Sequence, residues 1–163
     1  MAEYMGAGKR RLPIALAVFL IMIGVWIGIS PPKTPRIFLN QRRAVASIQA
    51  LNLAEQEYAT LHPDTGFACN ISDLGRNDSE VSRSALVDRV LVSGTSSWYH
   101  FDIRCSPSVG RAAAYRITAL PVEPGVTGQY ALCTDQSREI WYSENGSPSD
   151  CLATRKPVDR KYR

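Results

Sequence analysis

The sequence has little with which to carry out acid–base, phosphate or metal chemistry. It contains two histidines, and it has no glycine-rich phosphate loop, no G-x-S-x-G and no H-E-x-x-H. His62 stands before a proline, and His100 and Asp102 fall on outward positions of a predicted strand, where alternation alone places polar residues. The cysteines form neither C-x-x-C nor a Cys/His zinc spacing. We therefore expect a protein that is not an enzyme and that binds no cofactor or metal.

Charged residues are absent from one long stretch, Pro13 to Ser30, which reads "PIALAVFLIMIGVWIGIS". As a helix this run spans about 27 Å, close to the thickness of a bilayer core. A cleaved signal peptide is the alternative, but its apolar region is usually shorter, about 7–15 residues. The best small-residue cleavage site, Gly28-Ile29-Ser30, also runs directly into Pro31. We expect a transmembrane helix over residues 13–30, which contacts the lipid bilayer, after a short basic segment over residues 1–12.

All four cysteines follow the apolar run, and their even number is typical of a disulfide-bonded domain in an oxidising compartment. The part of the chain after residue 30 is therefore expected outside the cytoplasm. Basic residues flank the run on both sides, so the positive-inside rule gives no orientation of its own. Four cysteines allow three pairings; from their locations we favour Cys69 with Cys105 and Cys133 with Cys151, and the other two pairings stay open.

Positive and negative charges occupy different parts of the chain. Residues 44–154 hold seven arginines against thirteen acidic residues, a formal charge of −6. The rest of the chain holds twelve lysines or arginines against Glu3 and Asp159, which gives +10. The basic residues flank the apolar run or form the tail over residues 155–163, where contact with lipid headgroups or water is the usual outcome. We therefore expect no binding to nucleic acid.

A proline-rich segment and a long helix are predicted to follow the apolar run. "SPPKTPR" breaks any helix because its prolines lack backbone donors, and it predicts an extended spacer over residues 31–37. From residue 38 to residue 61, apolar residues recur at spacings of three and four, which indicates one face of an amphipathic helix. That face needs a partner surface, and its predicted members are Val45, Ile48, Leu51, Ala54, Tyr58 and Leu61.

From residue 97 the apolar period changes from 3.6 to 2, which predicts strands. Four segments alternate or are rich in strand-forming residues: "WYHFDIRC", "AAYRITALPV", "QYALC" and "EIWYS". Proline and glycine turns separate them, so an antiparallel sheet is expected. A long helix followed by such strands predicts an α+β domain in which the helix lies on the apolar face of a four-stranded sheet. Among the outward-facing residues, Trp98 and Trp141 are candidates for an exposed recognition surface. The alternative, which we favour, is that they pack against a loop or the helix.

Several segments together resemble the globular part of type IV pilin-like proteins, most closely a pilin-like group of Acidobacteria. The segments are "AVASIQALNLAEQEYA", "ALVDRVLVSGTSSWYHF", "YRITALPVEPGVTGQYALCTDQSREIWYSENG" and the closing "CLA". The resemblance implies a pilin-like domain over residues 38–154, with a long helix on a four-stranded antiparallel sheet and a C-terminal disulfide loop at Cys133 and Cys151. It also implies a bacterial inner-membrane protein whose domain is periplasmic or extracellular.

The resemblance does not extend to the pilin processing site. Prepilins are cut after a glycine that leads directly into the apolar run, with a glutamate five residues after the cut. Here Gly8 is followed by Lys9, Arg10 and Arg11, the fifth residue on is Pro13, and the run contains no glutamate. The sequence thus predicts an anchored structural or accessory subunit of a type IV pilus or type II secretion-like system, with other pilin-like subunits or that machinery as partners, and not a major pilin. The alternative is a ligand-binding or sensory module on the same fold.

Overall fold

The computed structural model describes residues 34–75, 87–106 and 110–162. The transmembrane helix predicted over residues 13–30 and the basic segment 1–12 lie outside these ranges. Within them, no helix combines the length and the apolar character that a bilayer crossing requires. The described ranges belong to one compact unit, which begins at Thr34.

Helix α1 spans Thr34–Leu61 and so begins four residues earlier than predicted. The predicted extended spacer is wrong over residues 34–37, since these residues already form the first turn of the helix. Pro35 is compatible with this position because the first backbone N–H groups of a helix have no intrahelical partner, and the missing donor costs nothing there. Residues 31–33 of the spacer lie outside the described ranges.

The strands form an antiparallel sheet in which each strand pairs with its neighbour in the chain. Strand β2 pairs with β3 from Tyr99↔Pro121 to Cys105↔Tyr115, and β3 pairs with β4 through Ala119↔Leu132. The strands are β1 Thr95–Ser96, β2 Tyr99–Cys105, β3 Tyr115–Pro121, β4 Ala131–Asp135, β5 Trp141–Ser143 and β6 Lys156–Pro157. The predicted α+β class and antiparallel sheet are confirmed.

The main core lies between α1 and one face of this sheet. Val45, Ile48, Leu51 and Ala54 are all buried on α1, as the helical stripe predicts. Their partners include Tyr99, Ile103, Tyr115, Ile117 and Leu132, which alternate along β2, β3 and β4. Burying a leucine or isoleucine side chain stabilises a fold by about 1.5–3 kcal/mol, so the stripe holds the helix on the sheet.

The predicted stripe overshoots the sheet at its C-terminal end. Tyr58 is half-buried, whereas Leu61 is 42% exposed and is therefore not a sheet-packing residue. The chain turns away there, because the backbone N–H groups of His62 and Gly66 bond back to the carbonyls of Tyr58 and His62. The apolar periodicity continues to Leu61, the last residue of the helix, but the sheet does not extend far enough to cover that residue.

The sheet has two strands more than predicted, and both are short edge strands. Strand β1 forms a hairpin with β2, and β6 pairs with β5 through Tyr142↔Lys156. The segment predicted as a solvated tail, residues 155–163, is therefore part of the fold as far as it is described. After β6, Val158 is 6% exposed, and a single 3₁₀ turn follows at Arg160–Tyr162. Val158 and Tyr162, two apolar residues in a basic stretch, pack this segment against the core.

A 3₁₀ helix, Ile71–Gly75, and two short α-helices complete the part of the domain that the structure describes. Helix α2 spans Arg89–Val92 and is capped by Asp88, whose carboxylate accepts a hydrogen bond from the Leu91 backbone N–H at 2.8 Å. Helix α3 spans Pro148–Thr154 and follows the cap residue Ser147. Helix α3 lies on the face of the sheet opposite α1, where Cys151 packs with Cys133 and Trp141 in a second, smaller core. This small core determines which part of the outer sheet face is left open.

Candidate functional site

Both disulfides favoured from the sequence are present. Cys69 is bonded to Cys105 and Cys133 to Cys151, with Cα–Cα distances of 5.0 and 6.1 Å. The first bridge ties the loop after α1 to the end of β2, and the second ties α3 to β4. Because every cysteine is used, the chain offers no free thiol for nucleophilic chemistry.

Trp141, one of the two candidates for an exposed recognition surface, is 3% exposed, so the recognition hypothesis is wrong for this residue and the favoured alternative, packing, is confirmed. Alternation along β5 does turn its ring away from α1, but α3 and the Cys133–Cys151 bridge cover it there. The guanidinium of Arg155 lies 4.8 Å from the centre of the ring and bonds to the carboxylate of Asp135 at 3.1 Å. Trp141 is therefore a core residue of the outer layer.

Trp98, unlike Trp141, is 61% exposed. It occupies the two-residue connection between β1 and β2 with Ser97, and both residues have positive φ, 52° for Ser97 and 64° for Trp98. Such a turn normally contains Asn-Gly, because a bulky side chain at positive φ is strained. The fold therefore holds a tryptophan outward at a position where local preference opposes it.

The outer face of β2 and β3 beside α3 forms an open groove of about 600 Å³. Its lining includes the polar side chains of Asp102, Arg104 and Arg116 and the apolar side chains of Leu120 and Leu152. Arg104 and Arg116 are direct cross-strand partners. Two like charges directly opposite each other destabilise a sheet, and Asp102 offsets only part of this by bonding to Arg104 at 2.7 Å. The groove thus brings positively charged and apolar side chains together.

One carboxyl group in the domain interior has no counterpart in the sequence prediction. Glu55 is fully buried on α1, where its Oε2 accepts a hydrogen bond from the Ala68 backbone N–H at 2.9 Å and its Oε1 has no partner. Burial raises the pKa of this carboxyl to about 8, against the opposing effect of the Ala68 bond. A carboxyl that is enclosed by the core and does not line a groove ties the post-helix loop to α1 and is not placed for catalysis.

A second buried polar tie lies one turn earlier on α1. Asn52 is 3% exposed, accepts a hydrogen bond from the Tyr115 hydroxyl at 2.9 Å and donates one to Thr134 Oγ1 at 3.4 Å. Both contacts fix the rotation of the helix against β3 and β4. The apolar stripe predicted for α1 includes neither Asn52 nor Glu55, because a polar residue near a stripe has no signature that tells burial from exposure.

The candidate polar residues of the sequence are not brought together. His100 pairs through Nδ1 with the Thr95 hydroxyl at 2.8 Å on an exposed edge, and His62 stacks on Tyr58 at the far end of α1 with 4.3 Å between ring centres. Among residues 34–75, 87–106 and 110–162, no group of three histidine, cysteine or acidic side chains is arranged to hold a metal ion.

These observations define the class of the domain: an α+β fold in which one long helix covers one face of an antiparallel sheet and a disulfide-bonded short helix covers part of the other. Comparison of the chain with protein-family models, with curated proteins and with solved structures gives no match.

Proposed function

We propose that this chain is a membrane-anchored, pilin-like protein that serves as a structural or accessory component of a type IV pilus or type II secretion-like system and has no enzymatic activity. Residues 13–30 hold it in the bacterial inner membrane, and the domain from residue 34 onward lies outside the cytoplasm. The observation that carries the proposal is the order of parts. An uncharged run of membrane length is followed, within four residues, by a long helix on an antiparallel sheet closed by two disulfides.

The upstream sequence supports an accessory role over that of a major pilin. A filament subunit must be released by prepilin peptidase after a glycine that leads directly into the apolar run. Gly8 is followed by the basic run Lys9, Arg10 and Arg11, and Gly6 lies two residues before Gly8, so neither glycine leads directly into the apolar run. A glutamate that would neutralise a neighbouring subunit's N-terminal amine inside an apolar bundle is also missing from the run. The anchor is therefore expected to remain on the protein.

Expression with and without a prepilin peptidase tests this proposal. The full chain should keep the same electrophoretic mobility in both strains, remain in the membrane fraction and be absent from sheared filaments. A prepilin that the same peptidase cuts is the positive control. A mobility shift that depends on the peptidase, with recovery of the chain in sheared filaments, would contradict the accessory role.

A second function is favoured by the outer groove. Because Arg104 and Arg116 oppose each other in a groove that Leu120 and Leu152 also line, the groove suits a ligand that carries an anionic group on a partly apolar body, as a sensory or ligand-binding module would require. An array of acidic oligosaccharides, probed with the native chain and with Arg116→Gln, tests it. Binding that Arg116→Gln removes and Arg89→Gln leaves intact supports this function; equal signals from all three argue against it.

A further inference from the structure

The basic residues of α1 all lie in its N-terminal half. They are Arg36, Arg42 and Arg43, and their side chains are exposed. Arg36 lies in the first turn, where the positive end of the helix dipole disfavours a cation. The helix dipole therefore does not account for a cation at this end of α1.

The C-terminal segment adds positive charge at the same end of the domain. The ring of Tyr162 packs on Phe38 in the second turn of α1, with 5.2 Å between ring centres, and Arg42 lies 6.0 Å from the centre of the Phe38 ring. Arg160 and Lys161, in the 3₁₀ turn that carries Tyr162, are exposed. Asp159 pairs with Lys161 at 3.3 Å and offsets part of this charge. We call Arg36, Arg42, Arg43, Arg160 and Lys161 together the basic end.

Trp98 belongs to this end of the domain and not to the other. It precedes Tyr99, which pairs with Pro121, and its carbonyl accepts a hydrogen bond from the Val122 backbone N–H at 2.9 Å. The loop that follows Val122 reaches the start of α1, where the Asn40 amide donates to the Thr127 carbonyl at 2.8 Å. Exposed Leu39 and Val126 also lie on these two segments. Exposed aromatic and aliphatic side chains therefore accompany the basic residues.

In the sequence, only Pro31, Pro32 and Lys33 separate Ser30, the last residue of the apolar run, from Thr34, where α1 begins. If residues 13–30 form the proposed anchor, the chain between the anchor and α1 is short. Tryptophan, lysine and arginine are the residues that interfaces of anionic membranes attract.

We propose that the basic end, together with Trp98, is a docking surface for a bilayer that contains anionic lipid headgroups, so that the domain rests on the membrane which anchors it. The inference rests on the proposed anchor. A membrane fits better than nucleic acid because residues 44–154, which form most of the domain, carry a formal charge of −6, which repels an extended polyanion. Within the loop after Val122, exposed Glu123 offsets part of the positive charge at this end.

Amide hydrogen exchange of the full chain in lipid nanodiscs tests the proposal. Discs of phosphatidylcholine alone are compared with discs that also contain phosphatidylglycerol, at low and at high salt. We expect exchange in the first turns of α1, in the Trp98 turn and at Arg160–Tyr162 to slow by about fivefold or more in the anionic discs, since each bound cation contributes roughly a fivefold effect. High salt should remove the difference.

Matched variants make the result specific. Arg42→Gln with Arg43→Gln, and separately Arg160→Gln with Lys161→Gln, should lose most of the added protection. Arg111→Gln with Arg138→Gln removes the same charge near the C-terminal half of α1, where Ala112 bonds to Thr65 and Arg138 bonds to Gln56, and should leave the protection intact.

Three outcomes would contradict the inference, and they are distinguishable. A chain that does not purify with the discs contradicts the anchor and, with it, the docking surface. A chain that stays in the discs but shows equal exchange with and without phosphatidylglycerol leaves the anchor standing and refutes docking. Protection of the same segments by duplex DNA, added to discs without anionic lipid, would assign the basic end to nucleic acid.

Discussion

The two halves of α1 are held on the domain by different means. The C-terminal half carries buried polar groups: Asn52 bonds to Tyr115 and Thr134, and Glu55 bonds to the loop that the Cys69–Cys105 bridge secures. The N-terminal half contacts the C-terminal segment through aromatic and aliphatic side chains and bonds through the Asn40 amide to the Thr127 carbonyl, and its arginines are exposed. One end of the helix is thus fixed by buried polar groups and a disulfide-bonded loop, whereas the other relies more on ring contacts and presents exposed arginines to an outside surface.

The largest effect is expected from the covalent tie at the C-terminal half. Replacing Cys69 and Cys105 by serine removes a bridge with a sequence separation of 36, and the chain-entropy model gives a loss of about 4 kcal/mol in the free energy of unfolding. Guanidinium unfolding of the native and variant proteins measures this loss. Replacing Cys133 and Cys151 is the matched comparison, and its shorter separation of 18 predicts a slightly smaller loss, about 3 kcal/mol. A loss below about 1 kcal/mol for the first pair would contradict the tie.

The next effect tests the rotation of α1 on the sheet. Leu51 is fully buried, and Leu51→Ala should lower the free energy of unfolding by about 3 kcal/mol through lost burial and a cavity. Leu53 is two residues away on the same helix and is 63% exposed, so Leu53→Ala should cost less than about 0.5 kcal/mol. Urea unfolding of both variants compares the two faces directly. Similar losses at the two positions would mean that the helix is turned differently from the fold described here.

A pH-dependent effect is expected from Glu55. Its pKa is raised from an ordinary 4.5 to about 8. At a pH between these two values, the carboxyl therefore keeps its proton in the folded protein and has lost it in the unfolded chain. Stability from this group is full below the lower pKa and falls as pH rises, by up to about 1.4 kcal/mol per pH unit. Glu55→Gln should remove this slope and make the variant more stable than the native protein near pH 8. Unfolding midpoints of the native protein and of Glu55→Gln, measured from pH 5 to 8, test this. Glu57→Gln, on the exposed face, is the control. A difference between Glu55→Gln and the native protein that does not change with pH would contradict the prediction.

The smallest effect is expected at the N-terminal half. Tyr162→Ala removes the ring contact with Phe38, and such pairs contribute about 0.5–1.5 kcal/mol beyond their buried area. Thermal unfolding should show a small decrease in midpoint, together with faster exchange of the first turns of α1. Tyr162→Phe keeps the ring and should behave as the native protein. A large loss on Tyr162→Ala would show that the C-terminal segment is as important to the core as the polar ties are.

Periodicity predicted the elements that bury a continuous stripe, and it could not predict those that depend on a single contact. The stripe of α1, the alternation of β2 and β3 and the favoured cysteine pairing are present in the fold. Strand β6 and the 3₁₀ turn after it rest on Val158 and Tyr162 in a basic stretch, which has no strand or helix period to detect.

The misjudged residues of the candidate site have a common physical cause. Alternation gave the correct direction for Trp141, but its burial depends on α3, a separate element that closes over it. Helical periodicity likewise gave the direction of Leu61 but not the end of the surface beneath it. Asn52 and Glu55 are buried because Tyr115, Thr134 and Ala68 offer partners, and such pairings are set by the tertiary fold. The direction in which a side chain points follows from local periodicity, whereas the element that buries it is set by the tertiary fold.

The mature N-terminus of the protein isolated from its native membrane is the most direct test of the central claim, an anchored domain that is not released as a pilin. Mass spectrometry of the intact chain should show a protein that retains residues 13–30 and carries both disulfides. A mature chain that starts just after Gly6 or Gly8 would identify a processed pilin. A chain that starts after Ser30 would identify a secreted protein without an anchor, and either result would contradict the account.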